Sequence, residues 1–155
     1  MNIAHFEETN PVSLLLQFSW LSQTQLAKAL GVNPSSVSRW LCGATRPSQT
    51  IQRLASELLL IYKDWSLPFP PKIETAELDP LQLLKNFNIS RFTLAEALGV
   101  SVRAIGHWIN GQNKPSRKVR RLAHQLNQKS HGSLKSNISS QINAFKYNLD
   151  KQLRE

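Results

Sequence analysis

The side chains best suited to specific chemistry lie in two short segments, 34–42 and 102–110, each predicted to be a helix. Apolar residues recur at helical spacing in both, which leaves small polar side chains, Arg39, Arg103 and His107 on the rest of the circumference. A guanidinium group donates two parallel hydrogen bonds from a rigid plane, so it matches a pair of adjacent acceptor atoms. The two arginines are therefore the strongest candidates for reading a hydrogen-bonding edge. Phosphate contact or a solvated helix face is the alternative for each, and His107 fits a plain surface histidine as well.

Both segments belong to a sequence that occurs twice. Residues 21–59 align with residues 89–127 without a gap, 68 positions apart, and 15 of the 39 pairs are identical. A repeat of this kind indicates two copies of one structural unit, each of roughly 50 residues and near the lower limit for independent folding. The shared positions include apolar, glycine and proline residues that set shape, namely Leu26/Leu94, Ala27/Ala95, Gly31/Gly99, Trp40/Trp108, Gly43/Gly111 and Pro47/Pro115.

Each copy predicts a series of short helices. In the first copy Pro11 opens a helix, Ser22 and Gln25 form a capping box for the next, and Gly31 ends that one. The remaining starts and stops are Asn33, Pro34, Gly43 and Ser48 in the first copy and Ser90, Gly99, Ser101, Gly111 and Ser116 in the second. Two short helices joined by a glycine-containing turn constitute a helix-turn-helix. The sequence therefore predicts an all-α fold of two tandem small helical bundles, each with a helix-turn-helix, plus a C-terminal amphipathic helix.

The predicted domain boundaries follow from these signals. They are an N-terminal extension over 1–11, a first helix-turn-helix domain over 12–63, a linker over 64–79, a second domain over 80–129 and the C-terminal helix over 130–155. The linker contains LPFPP, which excludes a helix and favours polyproline II, so we expect a semi-rigid spacer.

The C-terminal segment draws one apolar stripe along a helix. Its members are Leu134, Ile138, Ile142, Phe145, Leu149 and Leu153. The stripe either packs on its own domain or forms a homodimer, and both alternatives stay open. A membrane-surface helix is disfavoured because the polar face holds few basic residues.

Charge and composition narrow the function. The net charge is +9 and the isoelectric point is near 10.1, so a polyanion is the expected partner, either nucleic acid or an anionic membrane surface. Residues 12–63 carry +4 and residues 81–129 carry +8, whereas residues 64–80 carry −3. The single cysteine, Cys42, excludes a disulfide framework and a cysteine-based zinc site, and we expect a half-buried thiol. No apolar run spans a bilayer and the N-terminus is acidic, so we expect a cytoplasmic protein without membrane association.

At these residues the sequence resembles a known family. The runs SQTQLAKALGV, NPSSVSRWLCG and ATRPSQTIQRLASEL, with their second copies, are similar to the lambda-repressor/Cro type of helix-turn-helix domain, over about residues 12–60 and 80–127. The resemblance implies that the second helix of each motif enters the major groove of DNA and touches base edges. It assigns base reading to Pro34, Ser35, Ser38 and Arg39 in the first unit and to Val102, Arg103, Gly106 and His107 in the second.

Phosphate contacts are expected at helix N-termini and in the loop after the recognition helix, where backbone N–H groups favour an anion. The resemblance assigns them to Gln23, Thr45, Arg46, Ser48, Arg91, Asn113, Lys114 and Ser116. A further basic cluster, Arg117, Lys118, Arg120 and Arg121, fits either a backbone contact or a solvated helix face.

The sequence departs from the family after the recognition-helix tryptophan, where many members carry an acidic residue. Leu41 and Ile109 stand there instead, which suggests extra packing inside the domain or a contact between domains. Trp40 and Trp108 fit core positions better than base stacking.

These observations predict a sequence-specific double-stranded DNA-binding transcriptional regulator, with two linked units that read adjacent major-groove half-sites. The alternative is an interaction or assembly module, such as an antitoxin or an accessory factor of a phage, plasmid or transposon system. No nucleotide loop, metal cluster or paired-carboxylate site is present, so we expect no enzyme, no cofactor and no metal. RNA binding is disfavoured because the aromatic residues form no exposed stacking platform.

Overall fold

The computed structural model describes residues 7–69, 71–73 and 75–130, together with residue 147 and residues 151–154. Across the two repeats this part of the chain is helical and holds no strand, as predicted. The helices are α1 (Pro11–Gln17), α2 (Gln23–Leu30), α3 (Pro34–Leu41), α4 (Gln49–Tyr62), α5 (Leu81–Phe87), α6 (Arg91–Leu98), α7 (Val102–Ile109) and α8 (Arg117–Ser130). None of the described helices is long and apolar enough to cross a membrane. Except for the exposed Leu153, the predicted C-terminal stripe lies outside the described residues.

The predicted helix boundaries hold because they rest on local hydrogen bonds. Ser22 Oγ accepts from the Gln25 N–H at 3.1 Å, while Gln25 Oε1 accepts from the Ser22 N–H at 2.9 Å. This is the capping box, and it satisfies two N–H groups that the helix itself leaves without partners. Asn33 is the N-cap residue of α3, but its side chain makes no cap bond, and Pro34 takes the first helical position as expected.

Each unit buries one face of every helix in a small core. In the first unit the fully buried positions include Leu14, Leu26, Leu30, Val37 and Leu54, and their counterparts are Leu83, Leu94, Leu98, Ile105 and Leu122. Trp40 and Trp108 are partly buried against this core, which confirms their predicted role. The buried residues of both units form one continuous cluster, so the two bundles are packed together. The two units are therefore not separate domains joined only by the predicted spacer.

The linker is docked onto the protein. Trp65 is 8% exposed and its Nε1–H donates to the Phe69 carbonyl oxygen, while Pro71 is buried and Leu78 packs against the core. The prediction of a spacer missed this packing because apolar side chains within the proline-rich segment find buried surface only in the folded chain.

The repeat extends further upstream than the ungapped alignment shows. The segments ETNP and ELDP, which lead into α1 and α5, match with a shift of one residue. The Thr9 N–H donates to the Gln52 carbonyl oxygen of α4 at 3.0 Å, and the Leu78 N–H donates to the Arg120 carbonyl oxygen of α8 at 3.0 Å. Each upstream segment is therefore held in the same way on the last helix of its own unit.

Candidate nucleic-acid interface

The polar residues of α3 face outward because its apolar side holds the helix against the core. Val37 is completely buried, whereas Pro34, Ser35, Ser38 and Arg39 are exposed. The structure also brings a predicted base reader and a predicted phosphate ligand together. Ser38 Oγ donates to Oε1 of Gln23, the first residue of α2, at 3.3 Å. The start of α2 and the outer face of α3 therefore form one continuous polar surface.

The second recognition helix, α7, has the same placement with different chemistry. Ile105 is buried, Arg103 is exposed, and Val102, Gly106 and His107 are partly exposed. A Cβ added at Gly106 would meet no atom within 4 Å, so the space in front of this residue is open.

Gln112 is a further residue of this surface that sequence reasoning missed. His107 Nδ1 is hydrogen-bonded to Gln112 Oε1, an oxygen that accepts when Nδ1 carries the proton, so Gln112 orients the ring. In that tautomer Nε2 points away from Gln112 and is the ring's acceptor. The sequence gives one indication that Gln112 is special to the second unit: Ala44 occupies the matching position in the first unit.

The loops after the recognition helices lie at the start of α4 and α8. The predicted phosphate ligands there are all exposed, namely Thr45, Arg46, Ser48, Asn113, Lys114 and Ser116, and so are Gln23 and Arg91 at the starts of α2 and α6. Ser48 Oγ accepts from the Ile51 N–H at 3.4 Å and from Lys118 Nζ at 3.2 Å. Lys118 thus reaches from the second unit to the cap of α4 in the first.

A carboxylate of the linker pairs with the three arginines of the basic cluster in α8. Glu77 lies 3.5 Å from Nε of Arg117, 3.3 Å from Nε of Arg120 and 4.0 Å from Nε of Arg121. The Arg117 side chain remains 64% exposed, whereas Arg121 is buried between the two units. Burial lowers the pKa of the Arg121 guanidinium, and Glu77 opposes that shift. In this structure Arg117 and Lys118 remain accessible, and Arg121 serves the interface between the units.

Two expectations about α3 and α7 were wrong. Leu41 and Ile109 are 41% and 40% exposed, so neither the expected packing inside the domain nor the expected contact between the domains buries them. Cys42, expected to be half-buried, is exposed because it follows the last turn of α3, beyond the face that contacts the core.

Two helix-turn-helix motifs with outward polar recognition helices and exposed helix N-termini define a DNA-binding protein. The helix-turn-helix family model matches residues 21–60 and 81–132, more than half of the chain, and the chain belongs to this family, of the lambda-repressor/Cro type. This is a family of DNA-binding regulators that are generally not enzymes, and DNA is the partner it defines. A search of curated proteins and a search of solved structures each found no match.

Proposed function

We propose that this protein is a sequence-specific regulator whose two linked helix-turn-helix units read adjacent major-groove half-sites of double-stranded DNA. One observation carries the proposal: the base-reading faces of α3 and α7 are both exposed while the units pack on each other through α4 and α8. Because the exposed faces of α3 and α7 lie outside the contact between the units, both helices can contact the same duplex.

The two half-sites are proposed to differ in sequence. Ser35 and Arg39 in α3 correspond to Arg103 and His107 in α7. Arg39 and Arg103 pair with guanine through two hydrogen bonds, while Nε2 of His107 accepts from an amino group of adenine or cytosine. Since the arginine is displaced by one helical turn between the copies, guanine is expected at different positions of the two half-sites.

Affinity is proposed to come mainly from the phosphate ligands around these helices. The proposed set is Gln23, Thr45, Arg46, Ser48, Arg91, Asn113, Lys114, Ser116, Arg117 and Lys118. The second unit supplies more of the basic residues, and Glu77 offsets part of that charge. Arg120, which is partly exposed, contributes when a phosphate replaces Glu77 as its partner. Arg121 remains in the contact between the units.

Selection of bound sequences from random duplex DNA tests this function. The parent chain should select one motif, and Arg39→Ala and Arg103→Ala should each relax it at a different position, by about 1–3 kcal/mol. Lys63→Ala is the matched control, because it removes one exposed positive charge at the C-terminal end of α4, away from the recognition helices. If neither arginine variant alters the motif, the base-reading assignment is wrong.

A second candidate, an interaction or assembly module, is favoured by the exposure of Leu41 and Ile109 at the same position of both units. Band-shift measurements at several salt concentrations discriminate between the two functions. A steep fall of affinity with salt, with preference for one sequence, supports the regulator. Binding indifferent to sequence supports the module. The homodimer through the C-terminal stripe stays a prediction, which the mass of the full chain in solution tests.

A further inference from the structure

One pair of contacts between the two repeats is reciprocal. Gly31 ends α2, and a Cβ added to it would lie 3.1 Å from Cδ of Arg121 in the other repeat. Gly99 ends α6, and a Cβ added to it would lie 3.1 Å from Nε of Arg53. The two glycines are equivalent in the repeat and so are the two arginines. When each member of a residue pair touches the counterpart of the other, the interface is isologous, as it is in a two-fold dimer.

The orientation of α4 and α8 locates the symmetry axis. Near their N-terminal ends Lys118 Nζ donates to Ser48 Oγ at 3.2 Å. Toward their C-terminal ends Lys129 Nζ lies 3.3 Å from Glu57 Oε1. The two helices therefore run side by side in the same direction. A two-fold axis that relates two such neighbours passes between them, roughly along their length, and brings both N-terminal ends to one end of the axis.

Arg53, Arg121 and Thr50, whose side chains make contacts between the repeats, are all buried. Arg53 is 3.7 Å from Glu8, and Arg121 is 4.0 Å from Glu77, so the carboxylate of each upstream segment faces the arginine that touches the other repeat. Thr50, 3% exposed, donates from Oγ1 to the Leu98 carbonyl oxygen at 2.7 Å. These contacts, and not the reach of the linker, set how the two recognition helices are related.

We propose that a single chain binds an inverted repeat, in which two unequal half-sites are related by the axis between α4 and α8. The inference rests on the proposed function and specifies its DNA. A duplex has two-fold axes perpendicular to its length, so units related by a two-fold axis meet its two strands in equivalent ways, and the half-sites run in opposite directions. Units arranged by translation along the duplex would instead read a direct repeat.

The protein should also accept only a narrow range of spacings between the two half-sites. Successive major-groove faces on one side of B-DNA lie roughly 34 Å apart, which is one helical turn. Because the packed interface fixes α3 and α7, one spacing should be preferred strongly. A free spacer would tolerate several spacings, since the linker would absorb the difference.

The test begins with the motif that the full-length parent chain selects from random duplex DNA. Synthetic duplexes then carry its two half-sites in the selected arrangement, with one half-site reversed in place, and with one to three base pairs inserted between them. The selected motif should be a pair of inverted half-sites bound by one chain. Reversal of one half-site should weaken binding by about 100-fold, because several base contacts are lost together.

A symmetrised variant supplies an independent reading of orientation. Arg103→Ser, Gly106→Ser and His107→Arg together give α7 the polar recognition residues of α3, and Val102 stays in the position of Pro34. The changes lie on the exposed face, and the space in front of Gly106 is open, so the fold is retained and circular dichroism verifies it. This variant should select a palindrome. The same substitutions would produce a perfect direct repeat if the units were related by translation.

The outcomes separate this inference from the function on which it rests. A direct repeat, equal affinity after reversal of a half-site, or two chains per inverted site would overturn the inference while leaving sequence-specific DNA binding intact. Absence of sequence preference in every duplex would overturn the proposed function and the inference with it.

Discussion

Thr50 of α4 donates a hydrogen bond from Oγ1 to the carbonyl oxygen of Leu98 at the end of α6, at 2.7 Å. The bond crosses from the first repeat to the second. In the reverse direction Lys118 occupies the position of Thr50, and it bonds to Ser48 instead. The two repeats are therefore related by approximate two-fold symmetry. The symmetry is broken in the first turn of α4 and α8, where Thr50 and Lys118 differ.

Thr50→Val should destabilise the packing of the two units. The valine keeps the shape of the side chain but removes the donor, so the Leu98 carbonyl is left with less than its full hydrogen bonding, at a cost of about 1 kcal/mol. Urea unfolding of the full chain measures the change. Thr45→Val, at an exposed loop hydroxyl, is the control and should leave the unfolding midpoint in place. Equal midpoints for Thr50→Val and the parent would contradict the prediction.

Three glycine variants should differ in stability although all three residues have positive φ. Alanine at Gly99 would place Cβ 2.9 Å from the backbone nitrogen of Thr50, which cannot yield without moving α4. Alanine at Gly31 would meet side-chain atoms of Arg121, which can shift, and alanine at Gly111 would meet nothing within 4 Å. Gly111→Ala should therefore cost about 1–2 kcal/mol of left-handed strain alone, Gly31→Ala more, and Gly99→Ala the most. Thermal unfolding ranks them, and a different order would refute the packed interface.

Arg46→Ala and Lys114→Ala, at equivalent loop positions, should weaken DNA binding evenly across sequences. Each removes one phosphate contact, so the slope of log affinity against log salt should fall by about 1. Titrations at several salt concentrations, on the selected duplex and on a scrambled one, provide the measurement. Arg39→Ala serves as the contrast, because its loss should appear on the selected duplex alone. A loss confined to one sequence for either loop variant would exclude phosphate contact as its role.

Gln112→Ala should weaken the sequence preference at the base that His107 is proposed to contact. The glutamine oxygen favours the tautomer with the proton on Nδ1, so its removal should free both the tautomer and the orientation of the ring. Gln112→Met keeps the length of the side chain but lacks the acceptor, so it should change the motif in the same way as Gln112→Ala. Selection from random DNA reports the preference, and ¹⁵N shifts of the imidazole report the tautomer. An unchanged motif in Gln112→Ala would show that Gln112 does not position the ring.

Glu57 should make the interface of α4 and α8 depend on pH. Burial raises the pKa of the Glu57 carboxyl above its ordinary 4.5, and the charge of Lys129 opposes the shift. A carboxyl that holds its proton more tightly when folded contributes most below the unfolded pKa, and that contribution is lost as pH rises through the folded pKa. The free energy of unfolding of the parent, relative to Glu57→Gln, should therefore decline as pH increases from about 4.

Denaturant unfolding at a series of pH values provides this comparison. Lys129→Ala is the companion variant, because the shift should grow when the opposing charge is removed. A parent that gains stability over Glu57→Gln with rising pH would reverse the predicted sign.

Local elements of the fold were predictable because their causes lie within a few residues. The capping box of Ser22 and Gln25 and the stop at Gly31 depend on neighbours in the chain, and the structure has them where the pattern placed them. The outward placement of Arg39 and Arg103 follows from the spacing of apolar residues on the same helices. The assignment of DNA contacts to these residues remains a prediction.

The ion pairs of the interface were beyond sequence reasoning because their partners lie far apart along the chain. Arg121 looked like one more basic residue in an exposed run, and only folding showed that Glu77 and Gly31 enclose it. The exposure of Leu41 and Ile109 was likewise decided by the packing of the whole unit.

By itself the sequence determined that the chain forms two helix-turn-helix units, because helix caps, glycine stops and apolar spacing act over three or four residues. It also determined which side chains face outward on each recognition helix. The relation between the units was decided by tertiary structure alone. Two equal scaffolds can be joined by translation or by rotation, and the choice depends on which long-range contacts bury best, here Thr50 with Leu98 and Arg53 with Gly99.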